Sequence, residues 1–158
     1  MKFLYRFLPF ILLFLLTVTV NAQKKVSLQG TWEKVSAKYD GKPEGFNGRQ
    51  IKLITAKHYV WLKHDLKVID SLYAKGTLRD SLAAHNDEFG GGTYKIEGDT
   101  YTETTEFFGD PKYIGRSISF KFTLKGNIWN ISGHYVHYDA NGKKTDEFLL
   151  DETWKRID

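Results

Sequence analysis

Two carboxylates stand where a strand-rich chain normally places apolar side chains. Glu103 shares the alternation of Tyr101, Thr105 and Phe107. Glu152 shares that of Phe148, Leu150, Trp154 and Arg156. Residues two apart on a strand point to the same face, so both acids are aimed at an interior. A carboxylate there is costly unless something pairs with it. Apolar surroundings would raise its pKa, and a neighbouring arginine would lower it. Three arrangements satisfy that cost. The acids face a ligand cavity and exchange hydrogen bonds with a polar ligand group, they form structural pairs with Arg156 or Arg116, or a local bulge turns them outward. An isomerase-like use of Glu103 as acid or base is a further alternative, but the sequence offers it no partner residue.

Other chemistries find less support. Gly115-Arg116-Ser117-Ile118-Ser119 has the wrong spacing for a nucleophile elbow. Gly90-Gly91-Gly92-Thr93 lacks the lysine of a phosphate loop and precedes no helix. Its expected role is to let the chain enter a strand tightly. His134 and His137 are three apart, which on a strand points them to opposite faces. His58 and His64 share a face but would stand roughly 20 Å apart. The chain has no cysteine, hence no disulfide and no thiol chemistry. No metal, no cofactor and no catalytic residue is expected, and the chain reads as a non-enzyme.

The N-terminus carries a compartment signal. Lys2 and Arg6 precede an apolar run from Phe7 to Val20, and Val20 and Ala22 fit the small-residue pattern before a cut after Ala22. The run is shorter than the roughly 20 residues of a membrane span. The reading is a cleaved signal peptide over 1–22 and one domain over 23–158, exported to the periplasm or beyond and without a stable membrane span. Removing Lys2 and Arg6 leaves 21 Lys+Arg against 19 Asp+Glu. So small an excess predicts no nucleic-acid partner. A monomer is expected.

The elements that would position the two acids are strands. Aromatics, Thr, Ile and Val recur, and glycine punctuates at short intervals. Eight strands are expected: Thr31 to Tyr39, ending at Asp40-Gly41; Gln50 to Thr55; Tyr59 to His64; Gly92 to Glu97; Thr100 to Phe107; Ser117 to Lys125; Ile128 to Tyr138; and Phe148 to Ile157. Alternation directs inward Ile51 and Leu53, Tyr59 and Trp61, Tyr94 and Ile96. It does the same for Ile118, Phe120, Phe122 and Leu124, and for Trp129 and Ile131. Asp65 to Phe89 breaks the rhythm. Leu66, Ile69, Leu72 and Tyr73 recur at helical spacing, so this insertion between strands three and four is helical or irregular. It is a lid over a barrel mouth or a surface loop.

The two ends carry a resemblance. Gly30-Thr31-Trp32 before an amphipathic strand resembles the Gly-x-Trp signature of lipocalins and related calycins. Trp154-Lys155-Arg156 is similar to the ending of the fatty-acid-binding branch. The run from Gly90-Gly91-Gly92-Thr93-Tyr94 through Gly98-Asp99-Thr100-Tyr101-Thr102-Glu103 to Ile114-Gly115 resembles bacterial secreted lipocalin-like domains. The resemblance implies an all-β, eight-stranded antiparallel up-and-down barrel. Gly30, Trp32, Trp154 and Arg156 would close it, with Arg156 packed on Trp32. It also implies a small apolar or amphipathic ligand inside, against Tyr59, Trp61, Tyr94, Tyr101, Glu103, Phe120, Phe122, Trp129 and Glu152. The chain departs from fatty-acid binders: Glu152 stands two residues before Trp154, and the sixth strand offers Phe122 and Leu124, so a fatty-acid carboxylate would meet a negative or apolar wall. An interaction module with a solid core is the other reading.

Overall fold

A computed structural model of the protein describes residues 27–45, 48–65 and 88–158. The expected signal peptide, and residues 66–87 of the insertion expected over Asp65 to Phe89, lie outside the described residues, whereas Asp65, Glu88 and Phe89 are strand residues. Among the described residues nine strands follow one another: β1 (Gly30–Tyr39), β2 (Lys42–Pro43), β3 (Gly48–Ile54), β4 (His58–Asp65), β5 (Glu88–Glu97), β6 (Thr100–Phe108), β7 (Ser117–Lys125), β8 (Ile128–Tyr138) and β9 (Lys144–Arg156). A single 3-10 turn, Pro111–Tyr113, joins β6 to β7.

Every pairing is antiparallel, and seven long strands pair in chain order from β3 through β9. β1 completes the circuit, bonding to β3 on one side and to β9 on the other, from Trp32↔Arg156 to Tyr39↔Leu150. The sheet therefore closes into an eight-stranded up-and-down barrel, and closure removes the unpaired edges of an open sheet. The two-residue β2 is an appendage folded back on β1 by Asp40 and Gly41. Both have positive φ (49° and 77°), the backbone that a two-residue hairpin requires.

Up-and-down connectivity sorts the chain between two ends. The N-terminus of β1, the β3–β4, β5–β6 and β7–β8 turns and the end of β9 share one of them. The core crowds there: Leu28, Trp32, Tyr101, Trp129 and Trp154 are fully buried, with Ile54, Phe122 and Ile131 around them. The indoles meet edge to face or tilted, Trp32 with Trp129 at 5.4 Å and Trp129 with Trp154 at 6.1 Å. Trp32 Nε1 donates to the Leu28 carbonyl (2.7 Å), and the Arg156 guanidinium lies 4.3 Å from the Trp32 ring centre. Arg156 also donates to the Gln29 carbonyl, and the Thr31 amide donates to Asp158 (2.8 Å). These contacts plug that end.

Two bulges re-aim side chains where simple alternation fails. Between β5 and β6 the register steps from Gly91↔Phe107 to Gly92↔Thr105, leaving Glu106 as an extra residue. Parity flips beyond it, so Phe107 is 64 % exposed and Phe108 turns inward, the reverse of the expected facing. Gly92 sits opposite the bulge, where a Cβ would stand 2.0 Å from the Thr104 carbonyl oxygen. In β1 the step from Lys34↔Trp154 to Ser36↔Thr153 leaves Val35 outside.

Other expectations need correction. The inward residues of β3 are Gln50, Lys52 and Ile54, not Ile51 and Leu53. Leu53 is exposed and pairs with Val60, and Ile51 pairs with Leu62, forming apolar cross-strand pairs on the outer face. The glycine run lies within β5 rather than at its entrance. β5 begins at Glu88 because Gly90 pairs with Trp61 and Phe89 with Leu62. β9 begins at Lys144, four residues before the expected Phe148, because β8 pairs along its whole length.

Candidate functional site

Among the described residues, none fills the opposite half of the barrel. Above the tryptophan plug the strands enclose a cavity of about 330 Å³. Among the described residues it opens at the end where β4 finishes and β5 begins. Six rings contribute to its wall: Tyr59 and Trp61 from β4, Phe108 from β6, Phe120 from β7, Tyr135 from β8 and Phe148 from β9. Gly90 makes room for one of them, since a Cβ there would stand 2.7 Å from the Trp61 indole.

The floor is charged. Lys52 Nζ donates to Glu103 Oε1 at 2.6 Å, and both side chains are almost fully buried. The Tyr101 hydroxyl donates to the same oxygen at 2.7 Å. Four ring centres surround the ammonium: Trp154 at 4.9 Å, Trp129 at 5.4 Å, Tyr59 at 5.7 Å and Tyr101 at 5.9 Å. A buried ion pair tolerates a low dielectric only when its remaining polar atoms are satisfied. Here the phenol and the ring faces do that. Burial and the Glu103 charge push the phenols of Tyr59 and Tyr101 well above their ordinary pKa, so both stay protonated and can donate.

Glu152 is the second interior carboxylate. It stands on β9 between Ala37 of β1 and Ile131 of β8, and it lines the cavity. Its Oε2 accepts from Trp154 Nε1 at 3.0 Å. Burial raises its pKa above the ordinary glutamate value. Lys52, Lys34 and the indole bond pull the other way, and the Glu103 charge adds to the rise. Nearer the rim, Lys34 and Glu44 form a buried pair at 2.6 Å, and the Tyr39 hydroxyl donates to the other oxygen of Glu44. Arg116 donates to the carbonyls of Lys112 (2.7 Å) and Gly142 (2.9 Å) and stacks 3.5 Å from the Tyr138 ring centre.

Of the residues expected to contact a ligand, Tyr59, Trp61, Glu103, Phe120 and Glu152 line the cavity. The structure places Tyr101 and Trp129 in the plug beneath it, and Phe122 in the core beside them. Tyr94 packs against Tyr101 at the plugged end and donates to the Thr55 carbonyl, away from the cavity. Among the described residues neither carboxylate pairs with an arginine: Arg116 is held at the rim and Arg156 lies over Trp32. Sequence reasoning missed Lys52, because the apolar Ile51 and Leu53 claimed the inner face of β3. The signal was present, since an inward glutamate demands a cation and Lys52 alternates with Ile54. Phe108 was missed because the bulge reverses its parity.

No family model matches the chain, and no curated protein does. Among solved structures, an uncharacterised protein of Saccharomyces cerevisiae superposes with a TM-score of 0.56 at 10% identity, over 81% of this chain and 53% of its own. This chain thus spans about half of that protein. A lipocalin-like protein from Bacteroides uniformis aligns at a TM-score of 0.49 and 14% identity, over 82% of this chain and 98% of its own. An uncharacterised protein from Bacteroides eggerthii gives 0.47 and 12%, over 83% and 100%. The yeast likeness concerns the fold alone.

Proposed function

We propose that this chain is an exported, non-enzymatic barrel of lipocalin-like kind that holds a small amphipathic molecule in its cavity. The observation that carries the reading is the unfilled half of the barrel. One end is packed with three tryptophans, while the other keeps about 330 Å³ between aromatic walls and a charged floor. Small-molecule sites are typically concave, mostly apolar and provided with a few fixed polar groups, at roughly 300–1,000 Å³. A solid interaction module would have filled that space, because protein interiors otherwise pack as densely as crystals.

Binding rather than catalysis is favoured by the state of Glu103. An acid–base catalyst needs its carboxyl available to a substrate. One oxygen of Glu103 already accepts from both Lys52 and Tyr101. Export rests on the signal pattern over residues 1–22, and intact mass of the protein recovered from the cell envelope tests it, with a chain beginning at Gln23 expected.

The test of binding has two parts. Native mass spectrometry of the protein as purified should show mass in excess of the polypeptide that is released on denaturation. The neutral fluorophore N-phenyl-1-naphthylamine should bind with one-to-one stoichiometry, and Trp61→Ala should weaken it severalfold. A wild-type protein that binds no probe and carries no released mass defeats the reading.

A further inference from the structure

We infer that the cavity selects a cationic amine carried on an apolar or aromatic body, with Glu152 as its counter-charge. The inference rests on the binding reading above and names the ligand class. It follows from the charges that face the cavity. Among the described residues four carboxylates do so: Glu44, Glu88, Glu103 and Glu152. Three have an ammonium partner, Lys34 at 2.6 Å, Lys63 at 3.6 Å and Lys52 at 2.6 Å respectively. Glu152 has no ion-pair partner among the described residues. It accepts one hydrogen bond, from the Trp154 indole.

The cations are committed in the opposite sense. Lys52 and Lys63 are held in those pairs. Arg116 donates to two backbone carbonyls and stacks on Tyr138. His134 and His137 stand at the rim beside Glu147 and Asp146, at 3.9 and 4.0 Å. An anionic ligand would have to break one of these arrangements. A cation meets Glu152, whose desolvation is the largest cost it bears and which no direct ion pair offsets among the described residues.

The walls agree with the floor. Ring faces carry negative potential and attract an ammonium, most strongly where water is excluded. Lys52 demonstrates this inside the same barrel, with four ring centres within 6 Å of its nitrogen. Tyr59, Trp61, Phe120, Tyr135 and Phe148 offer a second such surface to a guest. The volume suits a compact arylalkylamine rather than a long acyl chain.

The experiment is a matched series at one pH: 2-(1-naphthyl)ethylamine, 2-(1-naphthyl)ethanol and 1-naphthylacetic acid, each titrated calorimetrically and by displacement of N-phenyl-1-naphthylamine. The amine should bind about tenfold or more tighter than the alcohol, and the acid weakest. Glu152→Gln should remove the advantage of the amine while leaving the affinity for the alcohol within about twofold. The ranking of the three ligands on wild-type protein is informative even if the variant folds poorly. Equal affinities, or preference for the acid, overturn the amine assignment and leave the cavity as a binding site. Loss of the amine advantage in Trp61→Ala but not in Glu152→Gln overturns the role of Glu152. Failure of every ligand and of the fluorophore defeats the binding reading itself, and the inference with it.

Discussion

The Lys52–Glu103 pair should behave as a thermodynamic unit, and a double-mutant cycle tests that. Removing one member of a buried ion pair costs about 3–5 kcal/mol, because the survivor is left charged and uncompensated, whereas replacing both can be nearly neutral. The surroundings here make the two single changes unequal. In Glu103→Gln the amide still accepts from Tyr101, and the Lys52 ammonium keeps four ring centres between 4.9 and 5.9 Å. Those contacts offset part of the loss, so about 2 kcal/mol is expected. In Lys52→Met the carboxylate keeps only the Tyr101 hydroxyl, so about 4 kcal/mol is expected. The double variant should lose about 1–2 kcal/mol rather than the sum, a coupling of roughly 4 kcal/mol. Urea unfolding followed by tryptophan fluorescence reads these differences directly, since Trp129 and Trp154 border the ammonium. For a domain of this size each kcal/mol corresponds to about 3–5 °C in Tm, so Lys52→Met should fall by more than 10 °C. A Lys52→Met protein within 1 kcal/mol of wild type, or strict additivity in the double variant, would refute the picture of a buried and mutually dependent pair.

Burial holds the Glu152 carboxyl above the ordinary glutamate value, so the folded protein keeps that proton where the unfolded chain has lost it. The contribution is complete below the ordinary value and is lost as pH rises through the raised one. Wild-type stability should therefore decline relative to Glu152→Gln as pH rises above the ordinary glutamate range, and a gap in urea unfolding that stays constant as pH rises would contradict it. Gly92→Ala drives a Cβ against the Thr104 carbonyl at 2.0 Å. It should cost about 3 kcal/mol or more or abolish folding, while Gly109→Ala, whose Cβ meets nothing within 4 Å, serves as the control in the same thermal melts. Arg156→Met removes the cation over Trp32 and the bond to the Gln29 carbonyl, and a loss of about 1–2 kcal/mol in chemical denaturation is expected. Gly90→Ala crowds the Trp61 ring from behind and pushes it into the cavity, so N-phenyl-1-naphthylamine should bind severalfold more weakly with little change in Tm.

Much of the architecture could be read from residue order. Period-two alternation in β7 and β8 placed Ile118, Phe120, Phe122, Trp129 and Ile131 on the inner face without reference to any other strand. Glycine and Asp-Gly turns marked the hairpins, because positive φ is a local demand that the turn residues meet alone. Closure of β1 on β9 was legible at Trp32 and Arg156. The interior acids were legible too, since parity alone aims Glu103 and Glu152 inward.

What parity could not supply was the partner. Lys52 and Glu103 are 51 residues apart, and whether β3 turns Lys52 or Leu53 inward depends on which face finds compensation across the barrel. A one-residue bulge has the same character. Glu106 is extra only with respect to β5, and the reversal that exposes Phe107 and buries Phe108 exists only in the paired register. The cavity is a still more collective property, being the volume left after eight strands have set the radius and three tryptophans have filled one end. Local sequence determined the strands, their turns and the two inward carboxylates, because those follow from backbone preference and alternation. Tertiary structure alone decided which carboxylate is neutralised and which faces open space, because charge compensation and empty volume are relations between distant residues.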